Sequence, residues 1–295
     1  MRTPRLLAPL AALILAAPLA AAPTDMALAS ADGFALKGTL TLPAAAKPKA
    51  KSPVVILAHQ FGSDRTGWAP LTEKLLARGI GVLALDLRGH GESAMKDGAE
   101  TRVTADFMTS AKAVGFDKIP ADLALAAAWL RKQPGVDGRR IGLAGSSVGA
   151  FSVLLAAPEV KPVAILSLSP AGTAAFGDSA RDRMKGALLR SRPSVLVLAS
   201  SEDKDAAENA QALKDLPGVA VDLKDGKDHG FAYFKDCSDL MAVYFGEYLT
   251  YHHTGKRYAE GHARAAAAPA PASTEGVTSN QPPVEKKAAP APATK

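Results

Sequence analysis

A pentapeptide at residues 145–149, Gly-Ser-Ser-Val-Gly, restricts the fold of this 295-residue chain more than any other segment. It follows an apolar stretch typical of a buried strand, residues 140–144, and precedes one typical of a helix, residues 150–156. Strand, Gly-x-Ser-x-Gly and helix in that order place the serine on a tight, strained turn at the carboxyl edge of a sheet. The pattern therefore predicts an exposed, nucleophilic Ser147; the alternative is a helix whose small first residues serve packing alone.

The residues around Ser147 fit this interpretation. Gly145 and Gly149 flank it where a side chain would collide as strand and helix fold sharply together. A helix that begins after Ser147 turns free N–H groups toward the serine, so the Val148 amide is a candidate oxyanion donor. We assign the second donor to the backbone N–H of Phe61, in the turn after the strand at 54–58; the alternative is that Phe61 only fills the core beneath that turn.

A serine nucleophile needs a base, and the base needs a carboxylate to orient it. Asp203 comes just after the apolar run 195–198, and His229 comes just after the run 220–223. Both are therefore expected at the same carboxyl edge as Ser147, in the chain order Ser, Asp, His. Activity should fall at low pH, because a protonated imidazole no longer accepts the serine proton. Three neighbouring acids are alternatives for the carboxylate role: Glu202, Asp205 and Asp228.

Apolar strands alternate with amphipathic helices between residues 30 and 255. This alternation predicts one α/β domain, a mostly parallel sheet with helices on both faces. Expected strands lie at 34–42, 54–58, 81–85, 140–144, 162–168, 194–199 and 219–223, and expected helices at 70–78, from Pro120, 205–214 and 238–252. The segment 86–93 follows a strand, and we expect it to brace the sheet edge by pairing Asp86 with Arg88.

Residues 33–251 resemble the α/β-hydrolase superfamily. The matching motifs are His-Gln-Phe-Gly at 59–62, Asp-Leu-Arg-Gly-His-Gly-Glu-Ser at 86–93, the pentapeptide at 145–149, Asp203, and Asp-His-Gly-Phe at 228–231. The resemblance implies an eight-stranded, mainly parallel sheet with a minimal cap, and a Ser147–His229–Asp203 triad that works through an acyl-enzyme.

Within the superfamily the chain looks similar to dienelactone-hydrolase-type and prolyl-oligopeptidase-type members. It departs from the former at Ser147, where dienelactone hydrolases use cysteine, and from common relatives at Gln60, where glycine is usual. Only residues 169–192 are available for a cap, which implies a small or open acyl pocket and short-chain esters. The connection at 94–118 either adds an apolar wall or is a surface loop.

These features predict a carboxylic-ester hydrolase that acts on a small-molecule ester without a cofactor or metal. A peptidase or amidase with the same triad is the first alternative, and a non-catalytic cell-envelope binding protein is the second. The formal charge of +6 forms no basic patch interleaved with aromatic residues, so nucleic-acid binding is not expected. Cys237 is the only cysteine, which excludes an intrachain disulfide, and we expect it on a helix.

Both ends of the chain differ from the domain. Residues 1–22 have arginines, an apolar stretch and small residues in the order of a secretory signal peptide, which predicts a periplasmic or secreted protein without a stable membrane span after processing. Pro23 disfavours cleavage directly after residue 22, so cleavage is expected slightly earlier or near residues 27–29. Residues 262–295 are rich in Ala, Pro and Lys and are predicted to be a disordered tail.

Overall fold

One eight-stranded sheet organises the described residues, 20–44 and 50–251, of the computed structural model. Its strands are β1 (Thr24–Ala29), β2 (Ala35–Thr41), β3 (Ser52–Ala58), β4 (Gly81–Asp86), β7 (Val136–Ser146), β8 (Ala164–Leu168), β9 (Ser194–Ser200) and β10 (Val219–Lys224), and a separate small hairpin pairs β5 (Met95–Lys96) with β6 (Ala99–Glu100).

The spatial order of the sheet is β1-β2-β4-β3-β7-β8-β9-β10. The pairs β1–β2 and β2–β4 are antiparallel, and every pair from β4 through β3 to β10 is parallel. The central strands β3, β8 and β9 and the second half of β7 are almost continuously buried, as expected for strands covered on both faces. Their carboxyl ends therefore form one shared edge.

Helices cover both faces of this sheet. They are α1 (Ala69–Ala77), α2 (Phe107–Val114), α3 (Ile119–Leu130), α4 (Val148–Leu155), α5 (Ala157–Val160), α6 (Ala180–Ser191), α7 (Lys204–Leu213) and α8 (Phe234–Gly246). One face packs against α1 and α8 through Leu71, Leu75, Met241 and Phe245. The other face packs against the remaining helices, with Phe151 of α4 at its centre. The predicted eight-stranded α/β architecture is thus confirmed.

Several elements differ from the sequence-based expectation. The sequence pattern does not predict β1, because its residues adjoin the leader-like residues 1–22 and only Met26 of the strand is buried. The connection at 94–118, for which the sequence predicts no particular element, holds the β5–β6 hairpin and α2. The last helix begins at Phe234 instead of Ser238, and a π-helical turn, Glu247–Tyr251, follows it. Cys237 lies buried on this helix, and the predicted tail at 262–295 and most of the predicted leader lie outside the described residues.

Candidate active site

Ser147 lies on the sharp turn between β7 and α4. Its φ of 55° and ψ of −116° place a non-glycine residue in a sparsely populated backbone region, which is a strained conformation. Its N–H donates to the carbonyl of Leu168 at 2.9 Å, which ties the turn to the end of β8. Between residues 141 and 154, Ser147 is the one residue that is not buried, so it is accessible while its neighbours are not.

The two flanking glycines permit this turn because their neighbours leave no room for a side chain. A Cβ on Gly145 would lie 2.3 Å from the carbonyl oxygen of Gly149. A Cβ on Gly149 would lie 2.3 Å from the carbonyl oxygen of Ala58 and 2.6 Å from that of His59. Because all three contacts are with backbone atoms, larger residues would force apart β7, α4 and the end of β3.

His229 and Asp203 form a direct pair. The imidazole Nδ1 lies 2.6 Å from Asp203 Oδ2, and the two side chains are 39% and 16% exposed. Asp203 is the third residue after β9 and occupies the N-cap position of α7, and His229 lies beyond β10 in the loop before α8. Both residues thus lie past the carboxyl ends of their strands, as Ser147 does. A carboxylate on Nδ1 leaves Nε2 as the nitrogen available for proton transfer.

Contacts between neighbouring residues bring His229 and Ser147 to the same part of the sheet edge. Gly230, next to His229, packs against Ser146, next to Ser147; a Cβ on Gly230 would lie 2.4 Å from Ser146 Oγ. Within the described ranges the Ser147 hydroxyl has no hydrogen-bond partner. In unliganded enzymes the serine–histidine hydrogen bond is often long and tightens when substrate binds.

The three alternative carboxylates lie elsewhere. Asp205 accepts hydrogen bonds from the Gly172 and Thr173 amides, at 2.7 and 3.1 Å, and from the Thr173 hydroxyl at 2.8 Å. It therefore holds the loop after β8 rather than an imidazole. Glu202 and Asp228 are exposed to solvent. Of the acids that the sequence left open, Asp203 is the one paired with His229.

Two buried histidines shape the turn that carries Phe61. Leu87 N donates to His59 Nε2 at 3.0 Å, so His59 Nδ1 carries the proton that it donates to the Gln60 carbonyl at 2.7 Å. Gly62 N likewise donates to His90 Nε2 at 3.2 Å, and His90 Nδ1 donates to the Arg88 carbonyl at 3.0 Å. Burial lowers the pKa of His59 to about 3 and also lowers the pKa of His90. Both rings are therefore neutral and connect the ends of β3 and β4.

The Phe61 side chain belongs to an aromatic cluster. Its ring centroid lies 5.3 Å from Phe107, 5.8 Å from His90 and 6.0 Å from Phe116. The side chain therefore helps to fill the core, which is compatible with a free backbone N–H. A Cβ on Gly172 would lie 2.8 Å from Phe107 and 3.6 Å from Val148. The connection at 94–118 thus forms an apolar wall beside the serine turn.

The expected pairing of Asp86 with Arg88 is wrong. The Arg88 guanidinium is buried and pairs with Asp122, through Nε–Oδ2 at 2.7 Å and Nη2–Oδ1 at 2.8 Å, and with Asp32 at 3.0 Å. Asp86 instead pairs with Arg65. Asp86 is the last residue of β4, whereas Arg88 lies in the turn that follows the strand, so the two side chains find different partners. The sheet edge is therefore braced by the pairs of Arg88 with Asp122 and Asp32 and of Asp86 with Arg65.

In the sequence Gln60 stands out only as a departure from glycine, and no sequence signal indicates its contacts. Its Oε1 accepts hydrogen bonds from Ser146 Oγ at 2.9 Å and from Phe231 N at 3.1 Å. Gln60 thus joins the serine turn to the loop of His229.

Residues 20–44 and 50–251 hold no cluster of metal ligands and no helix suited to span a membrane. No three His, Cys, Asp or Glu side chains there are grouped as ligands of one metal ion. In the same ranges, no helix has both the length and the apolar character that a bilayer crossing requires.

Sequence comparisons identify related proteins. The Hydrolase_4 family profile, described as serine aminopeptidase S33, matches residues 46–216. The chain is 27% identical over 176 residues to Thiohydrolase aneE of Aspergillus aculeatus, which covers 59% of this chain and 50% of that protein. It is 31% identical over 110 residues to an uncharacterized 31.7 kDa protein of the Escherichia coli traX-finO intergenic region, covering 37% of this chain and 34% of that protein. The chain therefore spans half or less of these curated relatives.

Solved structures share the fold. Acetyl xylan esterase 1 of Thermoanaerobacterium superposes with a TM-score of 0.59 at 20% identity, over 77% of this chain and 83% of that one. Dienelactone hydrolase of Anabaena variabilis superposes with a TM-score of 0.55 at 23% identity, over 77% of this chain and 99% of that one. At these identities the likeness establishes the architecture and leaves the substrate open.

Proposed function

We propose that this chain, which belongs to the serine aminopeptidase S33 (Hydrolase_4) family of α/β-hydrolases, is a serine hydrolase that cleaves short-chain carboxylic esters with Ser147, His229 and Asp203. The observation that carries the proposal is the 2.6 Å pair of His229 Nδ1 and Asp203 Oδ2, which lies at the sheet edge where the strained turn exposes Ser147.

The proposed reaction has two steps. Ser147 Oγ attacks the ester carbonyl while His229 Nε2 takes its proton, and Asp203 stabilises the imidazolium that forms. The Val148 and Phe61 amides donate to the oxyanion of the tetrahedral intermediate, which collapses to an acyl-enzyme as His229 protonates the departing alcohol. Water, activated by the same imidazole, then attacks the acyl group and restores the Ser147 hydroxyl.

The proposed preference for short acyl groups follows from the walls beside Ser147. The segment between β8 and β9 contributes one short 3-10 turn, Thr173–Phe176, and α6, rather than an extended cap. The other wall is apolar, with Phe107 against Gly172, which in turn lies beside Val148. Short apolar acyl chains fit beside such a wall without displacing it.

The test is a panel of p-nitrophenyl esters of graded acyl length together with aminoacyl p-nitroanilides, hydrolysed by the purified wild type and by Ser147→Ala. We expect the highest kcat/KM with acetyl and butyryl esters and a loss of several orders of magnitude in the variant. If the anilides are cleaved with a higher kcat/KM than the esters, the protein is a peptidase or amidase instead of an esterase. Full activity of Ser147→Ala would reject the triad, and no turnover with any substrate would favour a non-catalytic binding protein.

Export is the second part of the proposal, and it rests on the leader-like composition of residues 1–22. β1 begins at Thr24, Met26 is buried, and Ala21 N donates to the Leu42 carbonyl at 2.9 Å. Cleavage near residues 27–29 would remove much of β1, so we place the cleavage before Ala21. Mass spectrometry of the protein recovered from the periplasm or medium tests this; a mature chain that begins after Ala27, or no cleaved protein at all, would contradict it.

A further inference from the structure

We propose that three buried serines, Ser146, Ser169 and Ser200, are positioning residues that fix His229 by holding the loop at residues 228–233. The three serines are called the serine row here, and residues 228–233 the histidine loop. The inference rests on the proposed function, since it assigns a role to residues that act through the catalytic base.

The serine row follows the order of the strands. Ser146 is the last residue of β7, Ser169 directly follows β8, and Ser200 is the last residue of β9. These strands are consecutive neighbours in the sheet, and each of the three serines is 0% exposed. A buried hydroxyl needs a hydrogen-bond partner, and here each hydroxyl connects, directly or through one side chain, to the histidine loop.

The first connection runs through Gln60. Ser146 Oγ donates to Gln60 Oε1 at 2.9 Å, and the Phe231 amide donates to the same oxygen at 3.1 Å. The packing around this oxygen is tight, because a Cβ on Gly230 would lie 2.2 Å from it. One amide oxygen therefore clamps the serine turn to the residue that lies two positions after His229.

The second connection is direct. The Gly230 amide donates to Ser169 Oγ at 3.0 Å. Ser169 has a φ of 49°, a left-handed conformation that is unfavourable for a serine, and its own amide donates to the Leu198 carbonyl at 2.7 Å. Glycine would adopt this conformation without strain but would lack the hydroxyl. Ser169 therefore keeps a strained backbone at the position where its hydroxyl accepts a hydrogen bond from the histidine loop.

The third connection runs through Tyr233. Ser200 Oγ lies 2.7 Å from Tyr233 Oη, which donates to the Asp228 carbonyl at 3.1 Å. Since the tyrosine proton goes to that carbonyl, the Ser200 hydroxyl donates to the tyrosine oxygen. Burial raises the pKa of Tyr233, which keeps the phenol protonated and able to donate.

Together the three connections hold the backbone on both sides of His229. Asp228 is held before it, and Gly230 and Phe231 after it. The imidazole itself is 39% exposed and pairs with Asp203. Its distance to the Ser147 hydroxyl therefore depends on how firmly the loop backbone is fixed. A shift of about 1 Å in a reacting group can lower the rate by about 100-fold.

The experiment compares Gln60→Leu, Ser169→Ala and Ser200→Ala with the wild type on p-nitrophenyl acetate, well below each melting temperature. We expect kcat to fall by about 10- to 100-fold with KM changed less than about threefold. Gln60→Glu keeps an acceptor oxygen and should recover part of the loss. The double variant Gln60→Leu/Ser146→Ala should lose little more than Gln60→Leu alone, because both changes break the same connection.

The matched control is Ser194→Ala. Ser194 is buried on the same strand as Ser200, at its opposite end, and is 3% exposed. Its variant should keep kcat within about twofold of the wild type. Equal kcat for the wild type, Gln60→Leu and Ser169→Ala would overturn the inference, as would an equal loss in Ser194→Ala. If Ser169→Ala does not fold, Gln60→Leu, in a half-exposed turn, carries the test.

A different result is expected if the proposed function, and not only the positioning role, is wrong. In that case the wild type itself shows no ester hydrolysis that depends on Ser147, and the positioning role falls with it. A wild type that is active through Ser147, with row variants that are equally active, overturns the positioning role alone.

Discussion

Lowering the pH from 7 to 5 should destabilise the fold through His59. Burial, with a further contribution from His90, lowers the folded-state pKa of His59 from 6.5 to about 3. Between these values the unfolded chain binds a proton at this residue and the folded protein does not, so stability is lost as pH falls below about 6.5. The linkage slope approaches about 1.4 kcal/mol per pH unit, which gives about 2 kcal/mol between pH 7 and pH 5.

Urea unfolding of the wild type and of His59→Gln at both pH values isolates this contribution. The variant loses stability at pH 7 by about 1–3 kcal/mol, since hydrogen bonds to Leu87 and Gln60 are weakened. Its further loss between pH 7 and pH 5 should be smaller than that of the wild type by about 2 kcal/mol. His90, whose pKa is also lowered, acts in the same direction in both proteins and cancels. The same pH-dependent loss in both proteins would refute the reasoning.

Three further predictions concern the serine turn, its wall and the braced sheet edge. Gly149→Ala should destabilise the protein by about 2–4 kcal/mol in urea unfolding and slow labelling by a fluorophosphonate, because its Cβ would lie 2.3 Å from the Ala58 carbonyl oxygen; unchanged stability and labelling would contradict the geometry. Phe107→Ala should raise the kcat/KM ratio of octanoyl to acetyl esters by about tenfold by opening the apolar wall, and an unchanged ratio would place the acyl pocket elsewhere. Asp122→Ala should cost about 3–5 kcal/mol in thermal or urea unfolding because it leaves buried Arg88 short of a partner, and a loss below about 1 kcal/mol would show that Asp32 alone is sufficient.

Local patterns in the sequence predicted the strands, most of the helices and the turn of Ser147. Hydrophobic periodicity, apolar runs and glycine spacing involve residues that are close together in the sequence, so they can be recognised before the fold is known. The placement of Asp203 and His229 after their strands also follows from chain order, because parallel strands share a carboxyl edge.

The salt-bridge and hydrogen-bond partners of individual side chains could not be predicted, because these partners are distant in the sequence. Arg88 pairs with Asp122 and Asp32 rather than with nearby Asp86, since Arg88 lies in the turn after β4, close to α3 and to the turn between β1 and β2. Gln60 contacts Ser146 and Phe231 only after three loops have converged. β1 was missed because an edge strand with one buried residue gives little alternation to detect.

Reaction of the purified protein with a fluorophosphonate, followed by intact-mass measurement and peptide mapping, tests the identity of the nucleophile most directly. The account predicts one adduct per chain on Ser147, and none on Ser147→Ala, which folds like the wild type and does not hydrolyse p-nitrophenyl acetate. An adduct on another serine, or an unlabelled wild type that still hydrolyses the ester, would contradict it.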